Sequence, residues 1–225
     1  MPPLPCRLFL FDLDGTLIDS KADIIKSVNL ALDRLNFPRI DAARIAGFVG
    51  EGVQKLIQRT LRESTGNDPE NDLVNGATRI YLEEYGRHLM DNTRLYPGVK
   101  EALDALYWAD HAVITNKPEM FSRRILEALG VAAHFGRILG GDSVEKRKPD
   151  PAPLRQVMAQ FRTLPAETAM IGDSRVDIRA GKAAGTITCG ILGGFGTREE
   201  LEKEGCDLII ENAAELPRRF CPPPK

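Results

Sequence analysis

Four short stretches carry residues whose chemistry belongs together: Asp12-Leu13-Asp14-Gly15-Thr16, Thr115-Asn116, Lys148 within Lys148-Pro149-Asp150-Pro151, and Gly172-Asp173-Ser174-x-x-Asp177. Taken singly, each has a bland reading. The first is a polar turn with an N-cap, the second an N-cap, and the third part of a solvated basic run, Lys146-Arg147-Lys148. A calcium loop fails for the first, because aligning Gly15 with the fixed glycine puts Leu10 at the first ligand position and Lys21 at the bidentate Glu position. Together they are more. Asp12, Asp14, Asp173 and Asp177 in one crevice repel one another unless a divalent cation and a lysine neutralise them. Hard carboxylate oxygens suit Mg²⁺, which commonly takes one or two carboxylates with substrate phosphate and water. A hydroxyl and free backbone N–H groups at a helix start, as at Thr115 and Asn116, suit a phosphoryl oxygen, and Lys148 can supply a point charge for an anion.

The elements that would bring these residues together are short strands followed by helices. Leu8 to Phe11 is an apolar run that stops at Asp12, which suits a buried strand of a parallel sheet. Ala112–Thr115, Arg137–Leu139, Ala169–Gly172, Thr186–Leu192 and Asp207–Ile210 repeat that grammar. Val99, Ala102, Leu103 and Leu106, and again Leu154, Val157, Met158 and Phe161, keep the spacing of one buried helical face. Pro118 stands at the expected first residue of a helix and Gly130 at its end. Alternating strands and helices imply an α/β fold, a doubly wound, Rossmann-like parallel sheet. Every one of the four stretches then lies at a strand's carboxyl end, where open α/β sheets bind ligands.

Length sharpens this. The 225 residues amount to one and a half standard domains, and the surplus falls between Asp12 and Thr115. A βαβ crossover needs only roughly 30 residues, so about seventy are left over. Their pattern is helical. Ser20-x-x-Asp23 reads as a capping box ahead of Ile25, Val28, Leu32 and Leu35; Val53, Leu56, Ile57, Thr60 and Leu61 mark a second helix, and Leu73 to Tyr85 a third. The expected organisation is a core of residues 1–16 and 93–225 interrupted by a helical domain, 17–92.

Thirty Lys and Arg balance 32 Asp and Glu, for a net charge of −2 and a pI near 6.0. That balance argues against nucleic acid as a partner. Ordinary globular composition, 43% hydrophobic and 28% charged, excludes a disordered chain. The apolar run at the start is too short for a signal core or a membrane span. Cys6, Cys189, Cys206 and Cys221 form no CxxC pair and read as free thiols. The expectation is a cytoplasmic protein without membrane contact, a monomer or homodimer.

In their order and placement the four motifs resemble those of the haloacid dehalogenase superfamily of phosphohydrolases, and the inserted helices resemble that family's cap domain. More narrowly, Gly50-Glu51-Gly52-Val53-Gln54-Lys55-Leu56, Thr115-Asn116-Lys117-Pro118 and Gly140-Gly141-Asp142-Ser143 are similar to segments of phosphoglycolate phosphatases. The resemblance implies a Mg²⁺-dependent phosphatase of a small phosphorylated metabolite. Asp12 would be the nucleophile and Asp14 the acid and base. Asp12, the Asp14 main-chain carbonyl and Asp173 would hold the metal. Thr115, Asn116 and Lys148 would meet the phosphate, with Asp177 behind them. Asp14 speaks against a dehalogenase, which has no alkoxide to protonate. A sugar-phosphate phosphatase or phosphomutase, a pyrophosphatase, and a non-catalytic phosphate-binding module are the competing readings. The segment 17–92 carries 10 basic and 12 acidic residues, so carboxylate recognition must be local; Lys55 and Arg59, one helical turn apart, are candidates beside a plain solvated edge. Gly181 stands where the family commonly has alanine, at about 1 kcal/mol of helix propensity.

Overall fold

The structure is a computed structural model that describes residues 2–224. Two compact units divide the chain, Met1–Asp19 with Leu95–Lys225, and Ser20–Arg94.

The first unit is built on six parallel strands: β1 (Leu8–Phe11), β2 (Asp110–Ile114), β3 (Arg137–Leu139), β4 (Thr168–Gly172), β5 (Ile187–Ile191) and β6 (Leu208–Ile210). Their spatial order is β3-β2-β1-β4-β5-β6, all parallel. This is the doubly wound Rossmann order, in which strand order reverses beside the first strand. The reversal puts the carboxyl ends of β1 and β4 next to each other: Phe11 pairs with Ile171, and the Asp12 N–H donates to the Ile171 carbonyl at 2.9 Å. The apolar run in β1 follows from burial on both faces. Leu8 and Leu10 join a core with Ala112, Ile114, Leu154, Val157 and Met170, while Phe9 stacks on Phe11 and meets Trp108 and Phe220 edge-on. Each wholly buried Leu or Phe of this kind contributes about 2 kcal/mol.

The helices of this unit are α5 (Val99–Ala105), α6 (Glu119–Ala128), α7 (Ala152–Phe161), α8 (Arg175–Ala184), α9 (Arg198–Lys203) and α10 (Leu216–Arg219), numbered after four in the other unit. Val99, Ala102 and Leu103 of α5 and Leu154, Val157 and Met158 of α7 are buried as their spacing predicts. Pro118 is the N-cap of α6 rather than its first residue.

Gly181 has a reason that helix propensity misses. A Cβ there would stand 2.7 Å from Thr188 Cγ2 and 3.1 Å from Met170 Cβ. Thr188 cannot turn away, because it is β-branched and its hydroxyl both donates to Asp207 Oδ2 at 2.7 Å and accepts from the Asp207 N–H at 3.0 Å. The close approach of α8 to the sheet requires glycine. Gly181→Ala gains about 1 kcal/mol of helix propensity but overpacks at a typical cost of 1–3 kcal/mol. The expected net result is a destabilisation of about 1 kcal/mol, read as a lower urea midpoint at unchanged m-value.

The second unit holds α1 (Lys21–Arg34), α2 (Ala42–Ala46), α3 (Val53–Thr65) and α4 (Asn71–Arg87). The capping box expected at Ser20 does not form, since Ser20 makes no side-chain cap hydrogen bond. Asp23 is instead buried and accepts from the Asn92 N–H, Asn92 Nδ2, the Thr93 N–H and Thr93 Oγ1 at 2.7–3.0 Å. That clamp turns α1 so that Ile24, Ser27, Val28, Ala31 and Leu32 are buried, while Ile25 and Leu35 are only half-buried. Arg59 of α3 pairs with Glu51 at 2.7 Å. No helix among the described residues is long and apolar enough to cross a membrane.

Candidate active site

Asp12, Thr115 and Asp173 each follow directly on a strand, β1, β2 and β4, so their positions are set by the sheet rather than by flexible loops. After Asp12 the chain turns sharply. Gly15 has φ +90, its N–H donates to the Ile18 carbonyl at 2.9 Å, and a Cβ on it would come within 2.3 Å of Asp173 Oδ2. Only glycine fits between the two acidic motifs.

Asp12, Asp173 and Asp177 form a trio in which each offers one carboxylate oxygen, and these three atoms lie within 4.8 Å of one another. Lys148 enters from the loop before α7. Its Nζ is 2.9 Å from Asp12 Oδ1 and 2.7 Å from Asp177 Oδ1, with the lysine side chain only 2% exposed. Asp177 is fixed by a capping box at the start of α8: the Ser174 N–H and hydroxyl donate to its other oxygen at 3.1 and 2.7 Å. Asp173 accepts from Thr16 Oγ1 at 3.0 Å and from the Phe195 N–H at 2.7 Å. Thr115 is buried, and its hydroxyl accepts from the Lys117 N–H at 3.3 Å. The Asn116 side-chain amide donates to the Lys148 carbonyl at 2.9 Å, so this side chain braces the lysine loop.

Desolvation dominates the electrostatics. Burial pushes the Asp12 carboxyl up to about 6, against the pull of Lys148 and with a further push from Asp177. Burial, then the charges of Asp177 and Asp12, push Asp173 up to about 8, although the Phe195 N–H and Thr16 hydroxyl favour its charged form. Lys148 is held above the usual lysine range by Asp12 and Asp177, which outweigh its burial. One lysine thus serves a buried trio of acids, and a divalent cation is the ligand that such an oxygen-only donor set fits. Gly194 belongs to the same cradle: a Cβ there would lie 2.3 Å from Asp173 Oδ2.

The carboxylate of Asp14 is not one of the trio. It is bound by Lys117, whose Nζ lies 2.7 and 3.0 Å from its two oxygens. The sequence marks Lys117-Pro118 as a helix opening within a segment similar to phosphoglycolate phosphatases, and nothing in it predicts this pair. Sequence reasoning also missed the loop Gly193-Gly194-Phe195-Gly196 that wraps Asp173; glycines crowded just past a strand end were the available signal.

Known proteins bear on this geometry directly. A profile described as haloacid dehalogenase-like hydrolase matches residues 9–191, a span that takes in every one of these acids and both lysines. The chain belongs to the haloacid dehalogenase-like hydrolases. Within that family it is 34% identical over 95% of both chains to a phosphoglycolate phosphatase of Nitrosospira multiformis. It is 38% identical to one from Colwellia psychrerythraea, covering 93% of this chain and 95% of that one. Among solved structures, a crystal structure described as a predicted phosphoglycolate phosphatase from Haemophilus somnus superposes with a TM-score of 0.89 at 33% identity, over 94% of this chain and 96% of that one. The haloacid dehalogenase-like core of this chain therefore supplies the scaffold that carries these acids and both lysines.

Proposed function

We propose that this chain hydrolyses 2-phosphoglycolate to glycolate and phosphate through an aspartyl-phosphate formed on Asp12. The chain is a phosphoric monoester hydrolase of the haloacid dehalogenase-like family. The observation that carries the fuller reading is the pairing of two differently wired carboxylates on one turn: Asp12 on Lys148, Asp14 on Lys117. The names of the relatives support the substrate.

Asp12, oriented by Lys148, attacks phosphorus in line and forms the acyl phosphate while the ester oxygen leaves. Asp14, which must carry a proton for this step, gives it to that oxygen, and glycolate departs. Asp14 then takes a proton from the water that attacks phosphorus from the same side, which releases phosphate and restores Asp12. Lys148 and the Thr115 hydroxyl meet phosphoryl oxygens, where fixed donors count most, and Asp177 keeps Lys148 in place. Asp12, Asp173 and the Asp14 carbonyl would hold Mg²⁺, which when bound neutralises charge at the phosphoryl group. The helical segment 17–92 corresponds in this reading to the family's cap.

The test is kcat/KM with Mg²⁺ across 2-phosphoglycolate, pyrophosphate, nucleoside monophosphates and hexose phosphates. The expected outcome is a preference of about 10²-fold for 2-phosphoglycolate, the size that loss of a paired charge commonly carries. A flat profile rejects the substrate, and absence of turnover on any phosphomonoester rejects the enzyme.

A further inference from the structure

Lys117 is the cation that the reaction as written does not use, and its position is fixed by several contacts. Its side chain is 5% exposed and that of Asp14 13%. Two neighbours fix its main chain, and a third contact holds the start of the helix beyond it. The Thr115 hydroxyl accepts from its N–H, and its carbonyl accepts from the Gly141 N–H at 2.9 Å. One residue past Pro118, the Glu119 N–H donates to Asp142 Oδ1 at 2.8 Å, and Glu119 accepts from the Ser143 hydroxyl. The loop Gly140–Ser143 can approach this closely only because it begins with two glycines. A Cβ on Gly140 would stand 2.3 Å from the Glu119 nitrogen, and one on Gly141 2.5 Å from the Asn116 carbonyl oxygen. The whole segment is therefore a brace that sets a buried ammonium against Asp14.

We propose that Lys117 is a specificity-determining residue that binds the carboxylate of the substrate. This deepens the reading given under Proposed function and rests on its assignment of Asp14 to the leaving oxygen. That assignment puts the ester oxygen within hydrogen-bond reach of an Asp14 oxygen, and Lys117 Nζ lies within the same reach of both oxygens of that carboxylate. In a two-carbon phosphoacid a single methylene separates the ester oxygen from the carboxylate. The substrate's own anion thus comes to lie beside the ammonium that touches the acid. A lysine has three donors and no acceptor, so it can turn from one carboxylate to share itself with a second. Of the two candidate cations in the inserted helical unit, Arg59 is paired with Glu51.

The test is a cycle of two changes, one in the enzyme and one in the substrate: Lys117→Met, and 2-phosphoglycolate replaced by its carboxamide analogue. The variant also loses a partner of Asp14, which lowers kcat for both substrates by a common factor, and a reduced folded fraction scales both equally. The ratio of the two kcat/KM values is free of those effects. The expected ratio, carboxylate over carboxamide, is about 10²-fold in the wild type, as for loss of a charge-assisted contact, and near one in Lys117→Met. Lys117→Arg is expected to restore a ratio of about tenfold. If Lys117→Met lowers both substrates equally and keeps the wild-type ratio, Lys117 serves only Asp14 and the proposal falls while the substrate reading stands. If the wild type itself does not distinguish the two substrates, carboxylate recognition and the glycolate reading fall together, and phosphatase activity remains.

Discussion

Asp12→Asn is expected to lower kcat for Mg²⁺-dependent phosphate release by about 10⁴-fold or more, the scale seen when a covalent nucleophile is removed. An amide has nearly the carboxylate's shape but cannot attack phosphorus. The variant should keep its fold, for a reason visible in the site. Burial already holds the Asp12 carboxyl well above the usual carboxylate range, so a neutral group there relieves desolvation. Lys148 keeps its shorter contact, 2.7 Å to Asp177, and stays charged. Thermal unfolding should therefore place the variant within a few degrees of the wild type while activity is lost. Retained activity in a folded variant would mean that Asp12 is not the nucleophile.

Much of this site was legible because the fold repeats one device. A strand ends and a polar residue follows, and after Thr115 and Asp173 a helix begins within a few residues. Asp12, Thr115 and Asp173 are all first residues after strands, and the apolar runs that mark such strands are among the plainest signals in a sequence. Asp177 was legible for the same reason, since a helix opening just after Asp173 puts Asp177 in its first turn, at the same end. Lys117 was not, because nothing local distinguishes a lysine that opens a helix from one that reaches a carboxylate 103 positions away.

The two Ser-x-x-Asp patterns make the point in a single comparison. Ser174 and Asp177 form the capping box; Ser20 and Asp23 do not. Nothing within four residues separates them. Asp23 is claimed by Asn92 and Thr93, some seventy positions away, and those donors outbid a cap. Gly181 is a similar case: helix propensity alone recommends alanine, and the objection comes from Thr188 across the helix–sheet contact. Local patterns predict local partners, and they fail where a distant residue offers more or better-placed hydrogen bonds.

The second large effect is expected at Asp173, and it separates metal binding from the chemistry at Asp12. This carboxyl is 1% exposed and is pushed up to about 8 by burial and by its two acidic neighbours, against about 3.9 for the unfolded chain. The folded, metal-free protein then holds a proton more tightly than the unfolded one. Its stability must fall as pH rises between about 4 and 8. A divalent cation reverses that, because it takes the place of the proton. Added Mg²⁺ should raise Tm, and by more at pH 8 than at pH 6, with a gain of about 2.7 kcal/mol at a hundred times its dissociation constant. Asp173→Asn can keep the local wiring: its amide oxygen accepts from the Phe195 N–H, and its amide nitrogen donates to the Thr16 hydroxyl, which accepts as readily as it donates. The variant should thus be folded, flatter in stability across pH 5–8 without metal, unresponsive in Tm to Mg²⁺, and slower by about 10³-fold in kcat/KM, as for loss of a buried group that stabilises transition-state charge. A variant that still gains stability from Mg²⁺ would place the cation on other ligands, whatever its activity.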